Sequence, residues 1–236
     1  MIALTAVEDA EAAARACAER VAAAIADARA ERGAAHVALA GGRTPGRAYE
    51  LLARHVEDWH GVHLWFGDER CVPLDDPESN HALVVQTLLA DLPDDPARGL
   101  PAVHAVVGTD DPAAAAAAYE RELRETIPGD PVPRLDLALL GLGEDGHTAS
   151  LFPDDPVLEE RERLCAAVHG SKPPFERVTL TLPILRSARA IVVLTAGAGK
   201  AWAVRATLAG PSPRVPASLL ADGAVELIAD RAAAPG

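Results

Sequence analysis

Leu139-Leu140-Gly141-Leu142-Gly143-Glu144-Asp145-Gly146-His147-Thr148-Ala149-Ser150-Leu151-Phe152-Pro153 is the stretch whose reading decides the fold. With Leu135, Leu137 and Ala138 before it, it opens on a short, nearly continuous apolar run. Strands buried on both faces of a parallel sheet read this way. The run ends at Gly141, and a loop carrying an acid and a histidine follows. In open α/β sheets ligands sit outside the carboxyl ends of the strands, so Asp145 and His147 are candidates for chemistry. Gly141, Gly143 and Gly146 admit backbone angles closed to other residues and let a ligand approach main-chain N–H groups. Taken alone, the stretch also reads as a glycine-rich turn whose histidine caps the next element.

Working outward, apolar strands alternate with amphipathic helices. From about Val7 to Arg32, Val7, Ala10, Ala14, Cys17, Val21 and Ile25 fall at helical spacing, and Gly33 ends the run. A buried strand over His36 to Ala40 opens into Gly41-Gly42-Arg43-Thr44-Pro45, with Thr44 as helix N-cap and Pro45 as first helical residue. Strand, glycine pair and helix start together make an anion-site geometry, with a plain tight turn as the alternative. Val62 to Gly67 is a further strand, followed directly by Asp68, Glu69 and Arg70, which read either as site charges or as the start of a solvated loop. Ser79 caps a helix through Leu89, the stretch from Leu92 to Val107 is irregular, and an alanine-rich helix follows Asp111. Beyond Pro153 come a short helix at Val157 and Leu158, strands at Leu164 to Val168 and Val178 to Leu182, and a rigid Lys172-Pro173-Pro174-Phe175 connector. A helical turn spans Pro183 to Ser187. Ala190 to Thr195 is the last strongly apolar strand, opening into Gly197-Ala198-Gly199-Lys200 and a helix through Trp202, Val204 and Leu208. A cation in a first helical turn opposes the helix dipole unless an anion compensates, which favours a phosphate ligand at Lys200. A short helix over Pro216 to Ala221 and a strand over Val225 to Ala229 complete the pattern, which predicts a three-layer α/β/α, Rossmann-like fold with a mainly parallel sheet.

Composition narrows the function. The 236 residues carry a formal charge of −13, which argues against nucleic-acid partners while leaving room for local binding of an anionic metabolite. Hydrophobic residues make up 49%, enough for a substantial core in one folded unit over 1–236. Cys17, Cys71 and Cys165 are odd in number and widely spaced, so neither a disulfide framework nor a zinc site is expected, and a cytoplasmic setting fits. The acidic first residues do not resemble a signal peptide, and no apolar run reaches the ~18 residues of a membrane span. Lys172 and Lys200 are the only lysines.

Taken together, Gly41 to Pro45, Gly67-Asp68-Glu69-Arg70 with Pro77-Glu78-Ser79, Leu140 to Pro153, Arg177-Val178-Thr179-Leu180-Thr181 and Gly197 to Lys200 resemble the 6-phosphogluconolactonase family, itself similar to the glucosamine-6-phosphate deaminases. The resemblance implies the glucosamine-6-phosphate isomerase type of α/β fold. It also implies hydrolysis of a sugar-phosphate lactone without a cofactor; no metal is expected because no His, Cys, Asp and Glu set has ligand spacing, and the charge and hydropathy above leave a monomer or small homo-oligomer with neither nucleic-acid nor membrane partners. It carries over His147 as general base and Asp145 as the acid that orients it. Asp68 matches the deaminases' proton-transfer aspartate, a role that could reduce to binding sugar hydroxyls here. Gly41, Gly42, Arg43, Thr44, Arg70, Arg177 and Lys200 are candidates for substrate and its phosphate, and glycine-loop N–H groups for the oxyanion. The deaminases place a glutamate five residues after the loop histidine, where this chain has Phe152. A deaminase and a non-catalytic sugar-phosphate sensor remain the alternatives. The other histidines, His36, His55, His60, His63, His81, His104 and His169, show no ligand spacing and are expected to be ordinary.

Overall fold

A computed structural model describes residues 1–92, 95–107, 110–129 and 131–235. Ten strands and six α-helices follow in the order β1 (Ile2–Val7), α1 (Ala10–Arg32), β2 (Ala35–Leu39), α2 (Arg43–His55), β3 (Val62–Phe66), β4 (Asp68–Arg70), α3 (Asn80–Thr87), β5 (Ala102–Val103), α4 (Pro112–Thr126), β6 (Leu137–Gly141), β7 (Cys165–His169), β8 (Glu176–Leu180), α5 (Leu182–Ser187), β9 (Ala190–Thr195), α6 (Ala201–Leu208) and β10 (Val225–Asp230). Short 3-10 turns fill several of the connections.

Seven strands form a parallel sheet in the order β1-β10-β9-β6-β2-β3-β5, with β6 at its centre. The continuous apolar run of β6 follows from burial on both faces. Leu137 and Leu139 point into a core shared with α1, α2 and α3, while Ala138 and Leu140 point into another shared with α4, α5, α6 and the second sheet. The mainly parallel three-layer architecture expected of the sequence is therefore the one observed.

The second sheet was not expected. Strands β4, β8 and β7 pair antiparallel, and the chain enters this sheet by leaving the main one at Gly67. That residue touches both: its N–H donates to the Leu39 carbonyl (2.9 Å), and its own carbonyl accepts from the Leu180 N–H (2.8 Å). Asp68, Glu69 and Arg70, which read from sequence either as site charges or as the start of a solvated loop, are the strand that makes this turn. Three charged residues show no apolar alternation, so nothing in their composition announces a strand.

Two other boundaries differ. The first helix begins at Ala10, because the Asp9 carboxylate accepts the Ala12 N–H (2.8 Å) and caps it; Val7 closes the edge strand β1 instead. The second helix begins at Arg43 with Gly42 at the cap (φ 98°), so Thr44 makes no capping bond and Pro45 lies within the first turn. The irregular stretch expected from Leu92 to Val107 lies partly outside the described residues, at 93 and 94, and its two-residue strand β5 pairs with His63 and Leu64.

Candidate active site

The loops after β2, β3, β6 and β9 open on one cleft of about 960 Å³. It brings together all ten residues singled out from sequence, Gly41, Gly42, Arg43, Thr44, Asp68, Arg70, Asp145, His147, Arg177 and Lys200. They come from stretches separated by more than a hundred residues, and their convergence follows from strand order: β9, β6, β2 and β3 are neighbours, so their carboxyl ends share one edge.

Within the β6 loop, the Asp145 carboxylate accepts the His147 N–H (3.2 Å) and stands 2.5 Å from His147 Nδ1. An Asp accepting from the backbone two residues on is a local turn device, and Gly146 between them adopts φ 86°. The imidazole is thus oriented by its own neighbours in sequence, and among the described residues Nε2 has no hydrogen-bond partner. Hydrogen bonding from His147 holds the Asp145 carboxyl well below the usual carboxylate range, at about 2, against the opposing effect of burial. Gly143 makes the arrangement possible: a Cβ there would stand 2.1 Å from His147 Nδ1 and 2.5 Å from Asp145 Oδ1. Phe152 packs its ring 5.1 Å from the imidazole.

Strand alternation separates the three charges of β4. Asp68 and Arg70 line the cleft, whereas Glu69 is buried and accepts from the N–H groups of Arg70, Asn80 and His81 and from the Ser79 hydroxyl. Glu69 pins β4 to the start of α3, and burial raises its carboxyl above the ordinary value. Asp68 is held by the Ser150 hydroxyl (2.5 Å) and the Asn80 amide (3.2 Å).

The cations are less paired than those elsewhere in the chain. Lys200 and Arg43 line the cleft, and neither forms an ion pair within 4.0 Å among the described residues. Burial pulls the Lys200 ammonium below the ordinary lysine value, partly offset by Glu144 and Asp145. The Arg70 guanidinium donates to the Glu78 carbonyl, while its buried Nε has no partner among the described residues. Arg177 donates from Nε to the Pro174 carbonyl (3.1 Å) and from Nη2 to the Lys172 carbonyl (3.2 Å), and stands over the Phe152 ring. It therefore braces the β7–β8 connection with two donors that are then closed to a ligand.

One expectation needs narrowing. Of the glycine N–H groups offered for an oxyanion, that of Gly143 donates to the His147 carbonyl (2.8 Å), that of Gly146 to the Gly143 carbonyl (3.1 Å) and that of Gly197 to the Asp230 carboxylate (3.0 Å). The structural demands of their own loops consume them. The start of α2 stays available, because a helix leaves its first N–H groups without internal partners.

Asn80, Ser150, Thr195, Lys172 and Phe152 also bear on the site. Asn80, Thr195, Lys172 and Phe152 line it, and Ser150 reaches it through Asp68. The Thr195 hydroxyl is buried without a partner among the described residues. Sequence reasoning passed over Asn80 and Ser150 because they act through Asp68, a contact invisible before folding. Lys172 carried one signal, the rarity of lysine.

No group of His, Cys, Asp and Glu side chains suited to a metal ion occurs among the described residues, and no described helix is long and apolar enough to cross a membrane. Comparison with known proteins agrees with the geometry. The family model described as glucosamine-6-phosphate isomerases/6-phosphogluconolactonase matches residues 8–229. A 6-phosphogluconolactonase of Streptomyces coelicolor is 45% identical over 215 residues, 86% of this chain and 81% of that protein. The crystal structure of 6-phosphogluconolactonase from Leishmania guyanensis superposes with a TM-score of 0.83 at 32% identity, covering 99% of this chain and 97% of the other. A monomeric glucosamine-6-phosphate deaminase superposes with a TM-score of 0.80 at 25% identity, covering 98% of each. The chain belongs to the glucosamine-6-phosphate isomerase/6-phosphogluconolactonase family.

Proposed function

We propose that this protein is a carboxylic ester hydrolase that opens 6-phospho-D-glucono-1,5-lactone to 6-phosphogluconate in the oxidative pentose phosphate pathway, with His147 as general base. The supporting observation is the Asp145–His147 pair, which leaves Nε2 free at the carboxyl end of the central strand. In this reading Nε2 takes a proton from water as the water attacks the lactone carbonyl. The tetrahedral intermediate collapses, the bond to the ring oxygen breaks, and the imidazolium returns the proton to that oxygen. Imidazole is the side chain suited to take a proton in one step and return it in the next. Asp145 fixes the ring orientation and stabilises its charged form, and Asp68, already engaged by Ser150 and Asn80, binds sugar hydroxyls rather than moving a proton. Lys200, Arg43 and Arg70 surround the phosphate, with Gly41, Gly42 and Thr44 at the α2 start.

The relative named as a deaminase makes that activity the reading to separate. Phe152, 5.1 Å from the imidazole, occupies the position where the deaminases place a glutamate, and its ring neither gives nor takes a proton. A lactone needs only water, a base and an oxyanion site. The test is incubation with freshly made 6-phosphogluconolactone, corrected for spontaneous hydrolysis, beside glucosamine 6-phosphate. Rapid lactone opening without ammonia release is expected; ammonia at a rate comparable to lactone turnover would reverse the choice.

A further inference from the structure

The two edges of the small sheet are finished differently. On β4 the outward carbonyls of Asp68 and Arg70 accept from the Asn80 amide (2.8 Å) and the Val72 N–H (2.8 Å), and the Arg70 N–H donates to the Glu69 carboxylate (2.8 Å). On β7 the ladder to β8 engages Leu164 and Gly170, whose partners are the Thr181 N–H (2.9 Å) and the Phe175 carbonyl (2.6 Å). Gly170 begins the strap between β7 and β8 that Arg177 braces. In an antiparallel pairing of constant register the intervening Cys165, Ala167 and His169 therefore turn their main-chain groups outward. Leu180 and Glu176, opposite Cys165 and His169, fit that parity by bonding across to β4, at the Gly67 carbonyl (2.8 Å) and the Cys71 N–H (2.9 Å).

Of the three outward residues, only Cys165 is covered, its N–H donating to the Glu120 carboxylate (3.2 Å). The outward N–H and C=O groups of Ala167 and His169 have no partner among the described residues, and both residues are exposed. They open on a groove of about 440 Å³ whose other wall is the turn from Asp155 to Arg163, and which shares no lining residue with the cleft at His147. Natural sheets blunt an open edge with lysine, proline or a bulge, and the five residues of β7 have none of these. Such an edge is completed by an extended chain that adds a strand. The groove's charge selects the occupant. Glu160 neutralises Arg163 (2.5 Å), Glu159 pairs only with the exposed Arg161 (3.0 Å), and Asp155 has no ion pair among the described residues. A second copy of a chain of charge −13 would bring acid to acid, whereas a basic segment is attracted.

We propose that the outer edge of β7 docks an extended, lysine- or arginine-bearing segment of a partner protein as a fourth strand of the small sheet, with Ala167 and His169 supplying the main-chain rungs and Asp155 and Glu159 meeting its cations. The surface is independent of the lactonase reading.

The test is fluorescence anisotropy of a labelled nonapeptide alternating lysine and valine against the full chain. Saturable binding is expected, weakening severalfold between about 50 and 300 mM salt. The same peptide N-methylated throughout, which removes its donors, should bind at least about tenfold more weakly, and so should one with glutamate in place of lysine. Ala167→Pro removes an outward N–H at an edge position where proline is tolerated, and should cost about tenfold with the melting temperature held. Asp155→Asn combined with Glu159→Gln should cost about as much, asparagine keeping the turn's cap. Equal affinity for the N-methylated or the glutamate peptide would overturn the proposal, on wild type alone and whatever the variants do. So would absence of saturable binding up to about 1 mM peptide. Wild type sedimenting as a dimer that Ala167→Pro dissociates would give the edge to a second copy, and overturn it as well.

Discussion

Arg70 and Arg177 stand directly opposite each other in the antiparallel pairing of β4 and β8, two guanidinium groups on one face of a small sheet. Like charges in that relationship are unfavourable, and burial of Arg177 adds to the cost. The arrangement makes sense around an anion. Among the described residues Arg70 keeps a buried Nε without a partner, whereas Arg177 has two of its five donors on the strap, so Arg70 is the one of the pair chosen for the test. Arg70→Met should weaken 6-phosphogluconate binding roughly 10- to 100-fold, as for a hydrogen bond to a charged group. Thermal stability should hold or rise as the repulsion is relieved. A variant that melts lower while binding as tightly would assign Arg70 to the fold instead.

His147→Ala tests the base. General bases contribute about 10²- to 10⁴-fold, and a loop residue adds little to the core, so kcat should fall by that range with the melting temperature unchanged. Asp145→Asn should also lower kcat by removing the acceptor that fixes the imidazole. Since Asp145 is held at about 2, its carboxylate stays ionised throughout the working range, and no loss of activity between pH 5 and 8 should trace to it. Turnover equal to wild type in either variant would reject the corresponding role.

Gly143→Ala is expected to damage the same pair through the backbone. The added methyl group would stand 2.1 Å from His147 Nδ1, so the ring or the loop must move. Activity should drop at least about tenfold, since small misplacements of a catalytic group are costly. The far-ultraviolet spectrum should be that of wild type. Retained activity would show that the loop relaxes without cost.

The lesson about legibility lies in which signals are local. The strand of Leu137 to Leu140 and the Asp-Gly-His turn are written within a few residues each and stand where periodicity and turn chemistry put them, while the glycine-led start of α2 is present with Gly42 rather than Thr44 as its cap. Strand β4 is a long-range product. Asp68, Glu69 and Arg70 become a strand only because β8 supplies partners more than a hundred residues later, and their inward and outward roles exist only once the strand does. Likewise Ser150 and Asn80 have no reason to stand out until Asp68 lies between them. The sequence also hides that Arg177 braces the strap, since an arginine's choice between backbone carbonyls and a ligand is decided by what folds against it.

The histidines away from the site showed no pattern in sequence, yet three of them meet in space. His36 stacks on His63 with ring centroids 4.5 Å apart, His63 Nδ1 lies 3.0 Å from His104 Nε2, and His104 lies flat on Trp65 at 3.8 Å. Trp65 Nε1 donates to His36 Nδ1 (3.3 Å), Glu122 stands against His104 Nδ1 (2.6 Å), and Asp136 accepts the His36 N–H (2.8 Å). Burial pushes the His36 imidazole down to about 4, helped by the charges of His63 and His104 and opposed by Asp136; burial lowers His63 as well. The folded state therefore holds His36 neutral where the unfolded chain, with its ordinary value near 6.5, already binds a proton. Stability rises with pH wherever the unfolded state binds more protons, so the contribution is complete above about pH 6.5 and is lost as pH falls through that value toward 4. Urea unfolding of wild type and His36→Asn at pH 7.5 and 4.5 measures it, asparagine keeping an acceptor for the indole N–H. Wild type should lose about 2.5 kcal/mol more than the variant between the two pH values, because pH 4.5 stops short of the folded value. Equal losses in both proteins would show that the buried imidazole does not govern acid stability here.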